Sequence, residues 1–240
     1  MQFYFIRHGQ SENNLIWEQT GSDEGRNSDP KLTDVGKQQA AHLGAFLAAS
    51  GMTGGNSVAG YHSVAGFYLT HLYCSPMLRA IETALPAARA LGLPLVAWEE
   101  IHETGGIFCT DPETRELQGL PGRTRTEFAE RFPELILPET GWETGWWNRP
   151  FESREERPLR AQSVLQTLLA RHGGTEDHVA IFSHAGFYNH LLRIVLGMPG
   201  DTTVWFELQN TAITRIDFHP DYQRFVYANR VDFLPRQLLT

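Results

Sequence analysis

Residues 3–12 read Phe3-Tyr4-Phe5-Ile6-Arg7-His8-Gly9-Gln10-Ser11-Glu12. Residues 2–6 are aromatic and branched, the pattern of a short strand buried on both faces. The apolar run stops at Arg7-His8-Gly9. A second buried-type run, residues 178–183, ends in His184-Ala185-Gly186. Each strand therefore delivers a histidine, followed within two residues by glycine, to its carboxyl end. In open α/β sheets, ligands bind outside the carboxyl ends of the strands, so two such histidines can face one pocket.

Working outward, residues 10–31 are polar and rich in Asn and Gly, and read as loop. Thr33 reads as the N-cap of a helix over about 34–49, with Ala40, Leu43, Phe46 and Leu47 on one face. Residues 50–67 are rich in Gly, Ser and Ala and read as a flexible surface insertion. A strand at about 69–74 leads into a helix that starts at Ser75-Pro76 and that Pro86 should end or kink. Residues 94–98 read as a further strand. Residues 99–152 are irregular, with a short helix expected at about 124–131. A long helix over about 153–172 follows, its start set near 157 by Pro158. The strand 178–183 and a helix at about 186–196 come next. Residues 203–208, 211–218 and 223–228 read as three closing strands. Alternating strands and helices imply an α/β sandwich, with helices on both faces of a largely parallel sheet. The expected organisation is one domain over 1–240 with a cap-like insertion at about 99–152.

The chain has 240 residues, 20 Lys and Arg against 28 Asp and Glu, and a formal net charge of −8. Such a surface disfavours nucleic acid and anionic membranes as partners, so an anionic ligand needs a local positive site. No run approaches the length of a membrane span, and no basic leader opens the chain. Cys74 and Cys109 make no disulfide framework, and a reducing, cytoplasmic setting is expected. His62, His71, His102, His172, His178, His190 and His219 show no metal-ligand spacing, so no metal site is expected. Trp142, Trp146 and Trp147 read as packing a loop onto the core rather than as a substrate lid. Arg123, Arg125, Arg154, Arg157 and Arg160 lie among acids and read mostly as solvated.

Arg79, in Ser75-Pro76-Met77-Leu78-Arg79, falls at the start of a helix after a third strand. The three strand ends together supply His8, His184, Arg7 and Arg79. That inventory suits a phosphoryl group. Guanidinium forks match phosphate oxygens, and a neutral imidazole can attack phosphorus. A general acid must protonate the leaving oxygen. Glu103 is the best candidate, with Glu99 and Glu100 as rivals.

Four segments also resemble motifs of the histidine phosphatase superfamily, the phosphoglycerate mutase-like group. They are Arg7-His8-Gly9-Gln10-Ser11-Glu12-Asn13-Asn14, Leu32-Thr33-Asp34-Val35-Gly36, Ser75-Pro76-Met77-Leu78-Arg79-Ala80-Ile81-Glu82-Thr83 and Phe182-Ser183-His184-Ala185-Gly186. The resemblance implies the three-layer sandwich of that group. It implies His8 as the phosphorylated nucleophile and a phosphate pocket of Arg7, Arg79 and His184. Ser11 and Asn14 would add polar contacts to phosphate, and Glu103 would act as acid and then activate water. It implies a phosphomonoesterase of small phosphorylated metabolites, working without a cofactor. Mutase-type transfer is the first rival, and a weakly catalytic phospho-ligand or partner-binding module is the second.

Overall fold

A computed structural model describes residues 1–52 and 67–240. Residues 53–66, most of the Gly-rich segment, lie outside the described residues. A seven-stranded mixed sheet carries β1 (Gln2–Arg7), β2 (His71–Cys74), β3 (Leu95–Ala97), β6 (Leu135–Ile136), β7 (His178–Ser183), β8 (Ile213–Phe218) and β9 (Gln223–Arg230), in the order β6-β3-β2-β7-β1-β8-β9. From β6 to β1 every pairing is parallel, while β8 and β9 add antiparallel edges. Between them, β4 (Phe108–Thr110) and β5 (Leu117–Gly119) form a separate small hairpin.

The strand alternation explains the layers. Tyr4 and Ile6 of β1 point into one apolar cluster with helices α2 (Asp34–Met52) and α3 (Leu78–Leu91). Phe3 and Phe5 point into a second cluster with α5 (Glu156–His172) and α6 (Ala185–Val195). A strand buried on both faces has no polar side to show, hence its unbroken apolar run. This is the three-layer α/β/α sandwich expected from the sequence.

Several local expectations need correction. Residues 12–20 form a helix, α1 (Glu12–Thr20), where loop was expected. Ser11 and Asn14 occupy its N-cap and third position and satisfy each other's backbone N–H groups, a reciprocal cap worth about 1 kcal/mol. Polarity that suggested loop is thus partly helix-start chemistry. Pro86 sits inside α3 and does not end it. At this turn α2 packs directly over α3, so closely that a Cβ at Gly44 would lie 3.0 Å from the Pro86 carbonyl. Residues 203–208 form no strand. The side-chain amide of Asn189 accepts from Phe206 N at 2.7 Å and donates to its carbonyl at 3.1 Å, taking up groups that a ladder would use. The short helix read at about 124–131 is present as α4 (Arg125–Arg131), capped by Thr124 and Glu127.

The first loop is fixed by contact between glycines. A Cβ on Gly36 would lie 2.1 Å from the Gln10 carbonyl oxygen, and one on Gly9 would lie 2.7 Å from the Gly36 oxygen. The start of α2 therefore rests on the backbone just after His8.

Candidate active site

The β1–β7 register pairs Arg7 with Ser183, so His8 and His184 leave the sheet at the same level. β2 runs alongside β7 and brings Ser75 to the same edge, where its backbone N–H donates to the Phe182 carbonyl at 3.0 Å. The two imidazoles lie with ring centroids 5.1 Å apart. Both are buried, at 3% and 0% exposure.

His8 is held at both nitrogens. Its Nδ1 lies 2.7 Å from the Gly9 carbonyl, which can only accept, so Nδ1 carries the proton. Nε2 therefore presents its lone pair, and Arg79 Nε donates to it at 3.2 Å. Burial, with Arg79 and then Arg7 alongside, holds the His8 pKa well below the usual histidine range. The backbone around it is also fixed. Its carbonyl accepts from Asn210 Nδ2 at 2.9 Å and Thr211 N at 3.2 Å, while Gly9 N donates to Thr83 Oγ1 at 2.9 Å.

His184 stands at the N-cap of α6. Its Nε2 lies 2.8 Å from Ser75 Oγ, and its buried Nδ1 has no hydrogen-bond partner. Burial, then Arg79 and His8, push its pKa well below the usual range. Arg7 donates through one guanidinium nitrogen to the Leu208 carbonyl, and its buried Nε has no partner. Burial lowers its pKa to about 10, opposed by the Glu103 carboxylate. Burial lowers the pKa of Arg79 too, against Glu103 and Asp29.

Glu103 reaches this cluster from the segment after β3. Its carboxylate accepts from Gly186 N at 3.1 Å and Phe187 N at 3.0 Å, the first free donors of α6, and from Thr104 N at 2.8 Å. Glycine at 186 leaves room for that carboxylate, since a Cβ there would lie 2.3 Å from Glu103 Oε1 and displace it. The rivals are engaged elsewhere. Glu99 accepts from Trp142 Nε1 at 2.8 Å and pairs with Arg149, and Glu100 lies 3.9 Å from Arg149.

The segment carrying Glu103 is tied down by a buried ion pair, and its Arg160 belongs to the group of arginines that the sequence reads as mostly solvated. Arg160 and Glu152 are 7% and 5% exposed and share two contacts, one of 2.9 Å. Arg160 also donates to the carbonyls of Glu100 and His102 at 2.7 and 3.1 Å, and Glu152 accepts from Gly105 N at 3.1 Å. Removing one partner strands a buried charge. Arg160→Met is expected to lower stability by about 3–5 kcal/mol, read from the urea midpoint, and a loss near zero contradicts this account. Trp142, Trp146 and Trp147 are buried and pack this segment onto the core, as expected.

Ser11 and Asn14 lie beside the pocket, and their hydrogen bonds run to each other, with Asn210 reaching Asn14 Oδ1 at 3.4 Å. Two contributors were not read from the sequence. Asn210 is remote in the chain, its one signal being the polar run Gln209-Asn210-Thr211 between apolar stretches. Half-buried Asp29 accepts from Leu78 N at 2.9 Å, capping α3 beneath Arg79.

A buried imidazole pair flanked by two arginines at the carboxyl edge of such a sheet defines a histidine-dependent phosphatase, a hydrolase of phosphate monoesters. The chain belongs to the histidine phosphatase superfamily (branch 1), whose family model matches residues 3–231. A Hydrogenobacter thermophilus protein provisionally named phosphoserine phosphatase 2 is 25% identical over 235 residues, covering 96% of each chain. The fold is shared with phosphoserine phosphatase from Entamoeba histolytica, solved with 3-phosphoglyceric acid. The TM-score is 0.61 at 20% identity, over 98% of this chain and 99% of that one. A mycobacterial glucosyl-3-phosphoglycerate phosphatase solved with VO3 gives a TM-score of 0.58 at 19% identity, over 94% and 98%. Among the described residues no helix is long and apolar enough to cross a membrane.

Proposed function

We propose that this chain hydrolyses a small phosphorylated metabolite through a phosphohistidine on His8 Nε2. The observation that carries the reading is the locked His8 tautomer: Nδ1–H on the Gly9 carbonyl and an Nε2 lone pair beside Arg79. Nε2 attacks phosphorus while the ester oxygen leaves with a proton from Glu103. Arg7, Arg79 and the unpaired Nδ1 of His184 hold the equatorial oxygens, whose charge grows in the transition state. Glu103, ionised by that transfer, then takes a proton from water as it attacks the phosphohistidine. Inorganic phosphate leaves and His8 is restored. Ser11 and Asn14, at the head of α1, add polar contacts to the phosphate through their hydroxyl and amide. The whole chain acts as one catalytic domain, with 99–152 as its cap, in a reducing cytoplasm suited to two free thiols.

An acidic surface around a buried positive pocket favours a small ester over a polyanion. The relatives named above act on small phosphate esters by their names, which agrees.

The test is hydrolysis of p-nitrophenyl phosphate and a panel of phosphorylated metabolites, with and without chelator, across pH. Charge in this mechanism is carried by arginine and histidine, so chelator should leave the rate unchanged. Protonated His8 cannot attack, and its pKa is depressed. The acid limb of kcat/KM should therefore lie below the ordinary histidine value of about 6.5. A limb at or above that value, or no turnover of any monoester, contradicts the proposal.

A further inference from the structure

The parallel sheet has a second end, and it gathers ionisable groups the reaction does not use. His71 opens β2, His172 closes α5, and Asp177 lies in the turn before β7. One ligand atom from each of these side chains falls within 4.8 Å of the others. His172 Nδ1 is 2.8 Å from Asp177 Oδ2, and His71 Nδ1 is 4.0 Å from Asp177 Oδ1. The two imidazole centroids are 4.6 Å apart. Asp177 precedes His184 by seven residues of nearly continuous strand. At about 3.3 Å per residue the cluster lies roughly 20 Å from the catalytic pocket.

We propose that His71, His172 and Asp177 form a site for a divalent transition metal ion, of the kind that takes imidazole and carboxylate ligands. Two nitrogens and one carboxylate oxygen are a common zinc donor set, and three protein ligands leave one position for water. The outer groups match as well. A metal-bound imidazole usually donates its other N–H to a fixed acceptor, and Tyr73 Oη lies 3.1 Å from His172 Nε2. Binding at Nδ1 moves the imidazole proton to Nε2, where that hydroxyl accepts it. Thr70 Oγ1 lies 2.9 Å from His71 Nδ1, the nitrogen nearest Asp177, and an ion bound at that nitrogen takes the place of this contact. His172 is buried, while the side chains of His71 and Asp177 are 42% and 29% exposed, so an ion can enter from solvent. The ion would clip the end of α5 to two central strands. This departs from the expectation of no metal, which named His71 and His172, because spacing along the chain does not show ligands brought together from three separate elements.

The test is equilibrium dialysis of the purified chain against Zn2+ near neutral pH, with metal content measured per chain. The wild-type chain, His8→Ala and His71→Ala are compared, and Tm is read with and without Zn2+. His71 is partly exposed and belongs to neither apolar cluster, so its replacement leaves the core packing in place. The expected result is one zinc per chain in wild type and in His8→Ala, with Tm raised by the ion. Affinity should drop at least about tenfold in His71→Ala, with the Tm rise abolished. Substoichiometric zinc in the wild type overturns the proposal. So does binding that His71→Ala retains, or that His8→Ala loses because the ion sits between the catalytic histidines.

Discussion

His8→Ala is expected to lower kcat for p-nitrophenyl phosphate by about 10⁴-fold or more, because removal of a covalent nucleophile leaves only binding and charge stabilisation. Alanine cannot form the phosphoryl bond, and no other buried nitrogen replaces Nε2 at the end of β1. The obvious objection is loss of fold, since His8 is 3% exposed and bonded at both nitrogens. Leaving the Gly9 carbonyl without its partner costs about 1–3 kcal/mol. The variant should therefore fold with a lowered Tm and still be stabilised by phosphate, which Arg7, Arg79 and His184 hold. A folded, phosphate-binding His8→Ala that turns over at the parent rate removes His8 from the chemistry.

The second large effect comes from a residue that itself carries neither proton nor charge. Gly186→Ala is expected to reduce kcat by about 10²–10³-fold, the range for losing a positioned general acid. The added Cβ would stand 2.3 Å from Glu103 Oε1 and 2.7 Å from Thr104 Oγ1. Alanine is a better helix former than glycine, so α6 itself does not suffer. The cost falls on the Glu103 carboxylate, the movable end of a side chain, which must leave the donors at the head of α6. Because the two changes act through one group, Gly186→Ala should add little to Glu103→Gln. Full additivity in that double variant, or a parent-like rate in Gly186→Ala, means that Glu103 does not act from this position.

The fold and the ends of β1, β2 and β7 were legible because burial and chemistry write themselves locally there. A two-faced buried strand must be an apolar run, and Arg7-His8 and Ser183-His184 interrupt such runs abruptly. What holds those groups was less legible. The ion pair of Arg160 with Glu152 spans only eight positions, yet nothing in a run of Arg and Glu residues tells a buried pair from a solvated one. Asn210 bonds to the His8 carbonyl across some two hundred residues, and Asp29 caps α3 in place of its own Met77, which supplies no side-chain cap. Such contacts depend on sheet order and helix packing, which local patterns do not contain. Two of the misread segments share one cause. Ser11 with Asn14, and Asn189 with Phe206, use polar side chains to satisfy backbone groups, making a helix in one case and preventing a strand in the other.

The central claim is a covalent phosphoryl bond to His8 Nε2. It is tested most directly by mixing the protein with a monoester substrate, quenching in alkali within milliseconds and mapping the phosphorylated peptide by mass spectrometry. Phosphohistidine resists alkali while phosphoserine and acyl phosphates do not survive it. Label is expected on the peptide containing His8, at Nε2 by phosphorus NMR, and none in His8→Ala. Turnover with no label on that peptide under single-turnover conditions, or label on His184, would contradict it.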